Sequence, residues 1–168
     1  MSTNEAIIRA EGDGEKRWFF GGGLHTWKAT AQETNGAFLC FEDHMTEGKM
    51  TPFHIHPDAD EVFYVLEGEI VVHIDGGEHI VGPGGFAAAL RGVPHAFMAT
   101  STTRMLCWQT PGTGQAFFHG ASEPTSDTSL DGPVDFERVQ ASAREHGGVE
   151  LLGPPPFAAA RAASQAPD

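Results

Sequence analysis

The chain has 168 residues, 40% of them hydrophobic, with 21 glycines, 11 prolines and a formal net charge of −13. That length supports one domain with a packed core rather than two, and the hydrophobic share excludes a disordered chain. The charge disfavours nucleic acid, anionic membrane surfaces and strongly anionic substrates, while the glycine and proline content favours many short strands over a helical bundle.

Residues 1–17 read as a polar lead-in without the apolar stretch of a secretion signal. No run of about 18 apolar residues exists, so no transmembrane helix is expected. Cys40 and Cys107 are far apart, sit in the apolar runs AFLCFE and RMLCWQ, and form no CxxC pair. They read as two buried thiols in a reducing compartment, and a cytoplasmic location is expected.

Residues 18–118 read as the strand-rich body of the protein. RWFF, LHTWKAT and GAFLCFEDHM suggest early strands joined by turns. From Thr51 to Thr110 strands are dense. EVFYVLE and EIVVHID are β-branched and aromatic, with Gly68 between them as a turn. In the second, Ile70, Val72 and Ile74 alternate with Glu69, Val71, His73 and Asp75, which turns one face inward. Residues 119–157 read as a polar linker (119–132) followed by a C-terminal helix that packs on the sheet body. Pro133 suits a first helical position, Phe136, Val139 and Ala143 share a face, and Gly147-Gly148 stop the helix. Residues 158–168 read as a flexible tail. The GxG runs are turns without a following helix, so a nucleotide-binding reading is weak.

The chemistry concentrates between Gly48 and Gly68. His54 and His56 are two residues apart, so on a strand both imidazoles point to one face. Pro57 to Asp60 suits a turn, after which Glu61 can return an oxygen to the same spot. Phe63 and Val65 follow Glu61 at period two and should line the same interior. After a turn at Arg91–Pro94, His95 opens a strand with Phe97 on its inward face. Three imidazoles and a carboxylate suit one divalent first-row transition ion: iron, manganese, nickel, cobalt, copper or zinc. Four protein ligands leave coordination positions open for water, oxygen or substrate, which a catalytic ion needs and a closed, cysteine-rich structural zinc site lacks. Phe41, Phe53, Phe63 and Phe97 are the candidate walls of an apolar substrate pocket.

These residues resemble the cupin superfamily. The first cupin signature, G-x5-HxH-x4-E-x6-G, fits every fixed position from Gly48 to Gly68. The second, G-x5-PxG-x2-H-x3-N, matches at Gly84, Gly92 and His95. It departs at Leu90 and Ala99, where Pro and Asn are usual, and at Gly85, where Asp is common. The resemblance is firm over residues 37–118. RWFFGGGLHTWKAT, PHAF, WQTPG followed by FF, and ELLGPPPF add a likeness to single-barrel cupins of the quercetin 2,3-dioxygenase kind. It implies an all-β fold: a cupin-type antiparallel β-barrel (double-stranded β-helix or jelly roll) with a C-terminal helix. It implies that His54, His56, Glu61 and His95 hold the ion, with Glu61 also the catalytic base. It implies a dioxygenase acting on an aromatic or enolisable small molecule with dioxygen, in a homodimer. The alternatives are an isomerase, cyclase or lyase at the same site, or a non-catalytic small-molecule binder. His73, His79, His119 and His146 read as ordinary residues. His25 and His44 are singled out, because early strands in such proteins can cover the barrel mouth.

Overall fold

The computed structural model describes residues 5–157, so the tail expected at 158–168 lies outside the described residues. The chain runs β1 (Lys16–Phe19), β2 (Gly23–Ala29), β3 (Leu39–Met45), β4 (Phe53–Ile55), β5 (Asp60–Glu67), β6 (Ile70–Ile74), β7 (Gly77–Val81), β8 (Phe86–Ala89), β9 (His95–Ala99), β10 (Thr103–Thr110), α1 (Gln115–Gly120), β11 (Ser122–Pro124), α2 (Phe136–His146) and β12 (Glu150–Gly153). Two antiparallel sheets result, ordered β11-β1-β2-β3-β10-β5-β8 and β12-β4-β9-β6-β7. They face each other as a jelly roll: Phe63 of the first packs on Phe97 of the second at 5.3 Å. Among the described residues no strand pair joins one sheet to the other, so hydrogen bonding does not close the barrel.

Period-two patterning explains the core. In β3, Leu39, Phe41, Asp43 and Met45 are buried while Cys40, Glu42 and His44 are only partly so. In β10, Thr103, Met105, Cys107 and Gln109 are buried against partly exposed Arg104, Leu106 and Trp108. Most inward positions are apolar, as a packed interior requires; Asp43 and Gln109 break that rule and mark the site below. Two turns rest on backbone freedom. Asp75 and Gly76, at φ 52° and 75°, close the tight β6–β7 hairpin. Gly68 sits at φ 77°, where an added Cβ would come within 2.3 Å of the Thr102 carbonyl oxygen.

The C-terminal third departs from the sequence reading in three places. The polar segment 119–132 is not a plain linker: it holds the end of α1 and β11, which pairs with β1 through Trp18 and Glu123. A three-residue edge strand carries too few alternations to show in a Ser/Thr/Pro-rich stretch. Nor does the sequence reading anticipate α1. It buries Phe117 and Phe118, the latter edge-on to Phe41 at 4.9 Å. Finally, α2 starts at Phe136 and not at Pro133, because the Asp135 carboxylate accepts from the Arg138 backbone N–H at 3.0 Å and caps the helix. Its end at Gly147, φ 66°, falls where the glycine pair requires. β12 then pairs with β4, with Leu151 opposite His54. No helix among the described residues is long and apolar enough to cross a membrane.

Candidate metal centre

Strand register brings the four predicted ligands together. His54 of β4 lies directly opposite His95 of β9, so both rings project from one face. His56 follows β4 two residues on, and Glu61 comes from β5 in the facing sheet, opposite Gln109 of β10. All four are buried, and one ligand atom from each lies within 4.8 Å of every other. The Glu61 Oε2 atom is 2.9 Å from His95 Nε2, 3.1 Å from His56 Nε2 and 3.9 Å from His54 Nε2.

The backbone fixes which ring nitrogen faces the centre. His54 Nδ1 is 2.7 Å from the Pro52 carbonyl oxygen, His56 Nδ1 is 2.7 Å from that of Gly148, and His95 Nδ1 is 2.9 Å from that of Val93. A carbonyl oxygen only accepts, so each Nδ1 carries the hydrogen and donates. In neutral rings the three Nε2 atoms therefore present lone pairs towards a carboxylate oxygen. Four electron-rich atoms converging in a buried space repel unless a cation or protons sit among them. The donor set, tautomers and geometry thus fit a divalent transition ion bound through three imidazoles and a carboxylate.

The electrostatics agree. Burial pushes the Glu61 carboxyl up, but the His56 charge and the three imidazoles gathered around the carboxylate outweigh it and hold it well below the usual carboxylate range. Burial pulls His54 down from its ordinary value. Burial also acts to lower His56, but the charge and hydrogen bond of Glu61 win and leave it raised. Positive charge is drawn to this spot even before an ion is considered.

Two flanking residues escape sequence reasoning. Gln109 Nε2 donates to Glu61 Oε1 at 3.2 Å and lies 3.2 and 3.3 Å from the two His56 ring nitrogens. Cys107 Sγ approaches Glu61 Oε1 at 3.4 Å, and burial followed by the Glu61 charge pushes its thiol well up. Cys107 remains a free thiol, as does the partly exposed Cys40, whose pKa burial raises to about 11. The available signal is parity: Met105, Cys107 and Gln109 share a face of β10, and a glutamine there has no reason to point inward except a polar partner.

Beside this cluster opens a small apolar cavity of about 60 Å³. His54, His56 and Glu61 line one part of it, and Phe41, Phe63 and Phe97 form walls, the last two where their parity predicts. Phe53 does not. On β4 His54 faces in, so its neighbour Phe53 faces out and meets His73 edge-on at 5.6 Å. His25 lines the cavity, whereas His44 alternates to the outer face of β3. Val139 of α2 and Leu151 of β12 complete the wall.

Comparison with known proteins follows this geometry. The cupin domain family matches residues 41–109, the span holding all four ligands. The chain is 30% identical over 118 residues to the quercetin 2,3-dioxygenase of Bacillus subtilis (strain 168), a match covering 70% of this chain and 35% of that protein. It therefore spans about a third of that curated relative's length. Among solved structures, an RmlC-like cupin from Shewanella frigidimarina superposes with a TM-score of 0.56 at 20% identity, covering 64% of this chain and 91% of the other. KdgF from Halomonas sp. gives 0.55 at 18%, covering 64% and 94%. A predicted oxalate decarboxylase from Thermotoga maritima gives 0.55 at 20%, covering 63% and 99%. These likenesses establish the fold.

Proposed function

We propose that this chain, a cupin by its domain match over residues 41–109, is a metal-dependent dioxygenase acting on a small aromatic or enolisable molecule. The carrying observation is the set of three imidazoles whose Nδ1–H groups are anchored to backbone carbonyls, so that three Nε2 atoms and the Glu61 carboxylate converge at an aromatic-walled cavity. The likeness to a quercetin 2,3-dioxygenase over 118 residues supports the same reading.

A bound divalent transition ion would supply Lewis acidity and, for a redox-active metal, electron exchange with dioxygen. His54, His56 and His95 would hold it, their tautomers fixed by Pro52, Gly148 and Val93. Glu61 has two roles open to it. Bound to the ion it completes the ligand set. Released from it, its carboxylate loses a cationic neighbour, its pKa rises, and it accepts the proton of a substrate hydroxyl. Gln109 and Cys107, both at Glu61 Oε1, aim that carboxylate and leave Oε2 for the exchange. Phe41, Phe63 and Phe97 exclude water from the reacting substrate. With a net charge of −13, the partner is a small molecule and not nucleic acid or an anionic membrane.

The test is oxygen uptake by anaerobically purified, metal-analysed protein offered flavonols and other enolisable aromatics. Substrate-dependent oxygen consumption supports the dioxygenase reading. Stoichiometric metal without oxygen uptake overturns it in favour of an isomerase, cyclase, lyase or binding role at the same site.

A further inference from the structure

The cavity has a second polar group that the metal chemistry does not use. His25 on β2, Asp43 on β3 and Lys49 just beyond β3 are all buried, and all line the cavity that His54, His56 and Glu61 line. Lys49 Nζ donates to Asp43 Oδ2 at 2.5 Å, and His25 Nε2 lies 3.7 Å from the same oxygen. His25 is clamped flat between Phe41, at 4.1 Å, and Phe19, at 4.8 Å. Lys49 Nζ stands over the Phe97 ring at 4.9 Å and the Phe19 ring at 5.8 Å.

This group is built, and it is incomplete. An added Cβ on Gly23 would come within 2.2 Å of Asp43 Oδ1 and 3.3 Å of Lys49 Nζ, so the backbone beneath the pair carries no side chain. Asp43 Oδ1 and His25 Nδ1 have no hydrogen-bond partner among the described residues. An ammonium carries three N–H donors, and here Asp43 is its one protein acceptor among the described residues. Two donors are left to aromatic faces and the cavity. A buried ion pair is a poor device for stability alone, since apolar residues of similar volume often do as well. Spare donors on a cavity wall next to a candidate catalytic centre are better explained by recognition.

We propose that Lys49, held by Asp43 and flanked by His25, is a second recognition pole that donates a hydrogen bond to an uncharged oxygen, a hydroxyl or carbonyl, of a substrate whose other end reaches the metal ligands. This rests on the reading of the cavity as the substrate site of a metal enzyme. Charge decides the class of oxygen. Lys49 and Asp43 already balance, so a carboxylate placed there would be an uncompensated anion beside Asp43 in a low-dielectric pocket, and a cation would meet Lys49. A neutral oxygen satisfies a spare N–H at neither cost. The substrate is then a small molecule with metal-binding oxygens at one end, an apolar ring against Phe63 and Phe97, and a hydroxyl or carbonyl at the other.

Zinc-loaded protein is suited to the test, because zinc is redox-silent and binding is read without turnover. The probes are chelating hydroxyketones in pairs: 3-hydroxy-4-pyranone against kojic acid, and 3-hydroxyflavone against its 4′-hydroxy and 4′-carboxylate derivatives, titrated calorimetrically. Lys49→Met leaves Asp43 buried and alone, so the double variant Lys49→Met/Asp43→Asn, which removes both charges, is measured beside it. Wild type should prefer the hydroxyl-bearing member of at least one pair by about tenfold, and the folded, zinc-replete double variant should bind both members within about twofold. Overturning results are no preference in any wild-type pair (absent binding included), preference kept in the double variant, or the carboxylate binding tightest. Loss of oxygen uptake in the redox-metal protein with this preference intact would fail the dioxygenase reading alone. Oxygen uptake with no preference would fail this proposal alone.

Discussion

Replacing Lys49 with methionine should invert the pH dependence of stability contributed by Asp43. In the wild type, burial pushes the Asp43 carboxyl up, but Lys49 and then His25 outweigh it and bring the pKa down from 3.8 to about 2. That depression is worth about 2 kcal/mol. Because the folded-state value is the lower one, the contribution is complete above pH 3.8 and fades as the pH falls towards 2. In Lys49→Met the burial remains and the cation is gone, so the folded-state value rises above 3.8 and stability is lost as the pH rises. Removing one member of a buried pair costs about 3–5 kcal/mol, which for a chain of this size is a fall in Tm of about 6–20 °C. Burial holds His25, 3.7 Å from Asp43, below its ordinary value, so it softens the loss by taking up a proton only at acid pH. The deficit should therefore be largest above neutral pH. Urea unfolding of chelator-treated wild type and variant at about pH 5 and about pH 8 measures it, with the other titrating groups cancelling in the difference. A deficit that is the same at both pH values, or smaller at the higher one, would refute the picture of Asp43 as a buried carboxylate neutralised by Lys49.

Other outcomes follow from the same geometry. Glu61→Gln should keep part of its metal and lose turnover by about 10²–10⁴-fold, as removal of a general base does; full activity would remove the base role. Gln109→Leu deletes the amide that holds Glu61 Oε1 and should weaken metal affinity about 10–100-fold in a chelator competition. The same change takes the amide donor from the buried Glu61 carboxylate, so the metal-free protein should also lose about 1–3 kcal/mol in urea unfolding. Gly23→Ala drives a Cβ against Asp43 Oδ1 and should cost about 1–3 kcal/mol in urea unfolding, an effect absent if that backbone has slack.

How far each feature is legible in the sequence depends on whether its signal is local. His54, His56 and Glu61 sit within eight residues, and strand parity alone puts the two histidines on one face. His95 is distant in sequence, but its turn and the following Phe97 mark it as the start of an inward-facing strand. The sheet body is likewise legible, because long strands such as β3 and β10 carry their own alternation. What is hidden depends on pairings that no local pattern encodes. Gln109 and Cys107 reach Glu61 only because β10 lies beside β5 in the sheet. Asp43 looks like an exposed acid within FEDHM until β3 parity turns it inward to meet Lys49 from a loop. The short α1 and β11 hold six and three residues, too few to show a period. Phe53 misleads for the opposite reason: it is aromatic and adjacent to a ligand, yet one residue along a strand is the other face.

The central claim is that His54, His56, Glu61 and His95 hold one transition-metal ion, and elemental analysis tests it most directly. Anaerobically purified wild type should carry close to one such ion per chain, and His54→Ala/His56→Ala should carry almost none while its far-ultraviolet circular dichroism stays that of the parent. A metal-free wild type under those conditions, or a double variant that keeps its stoichiometric ion, would contradict the account.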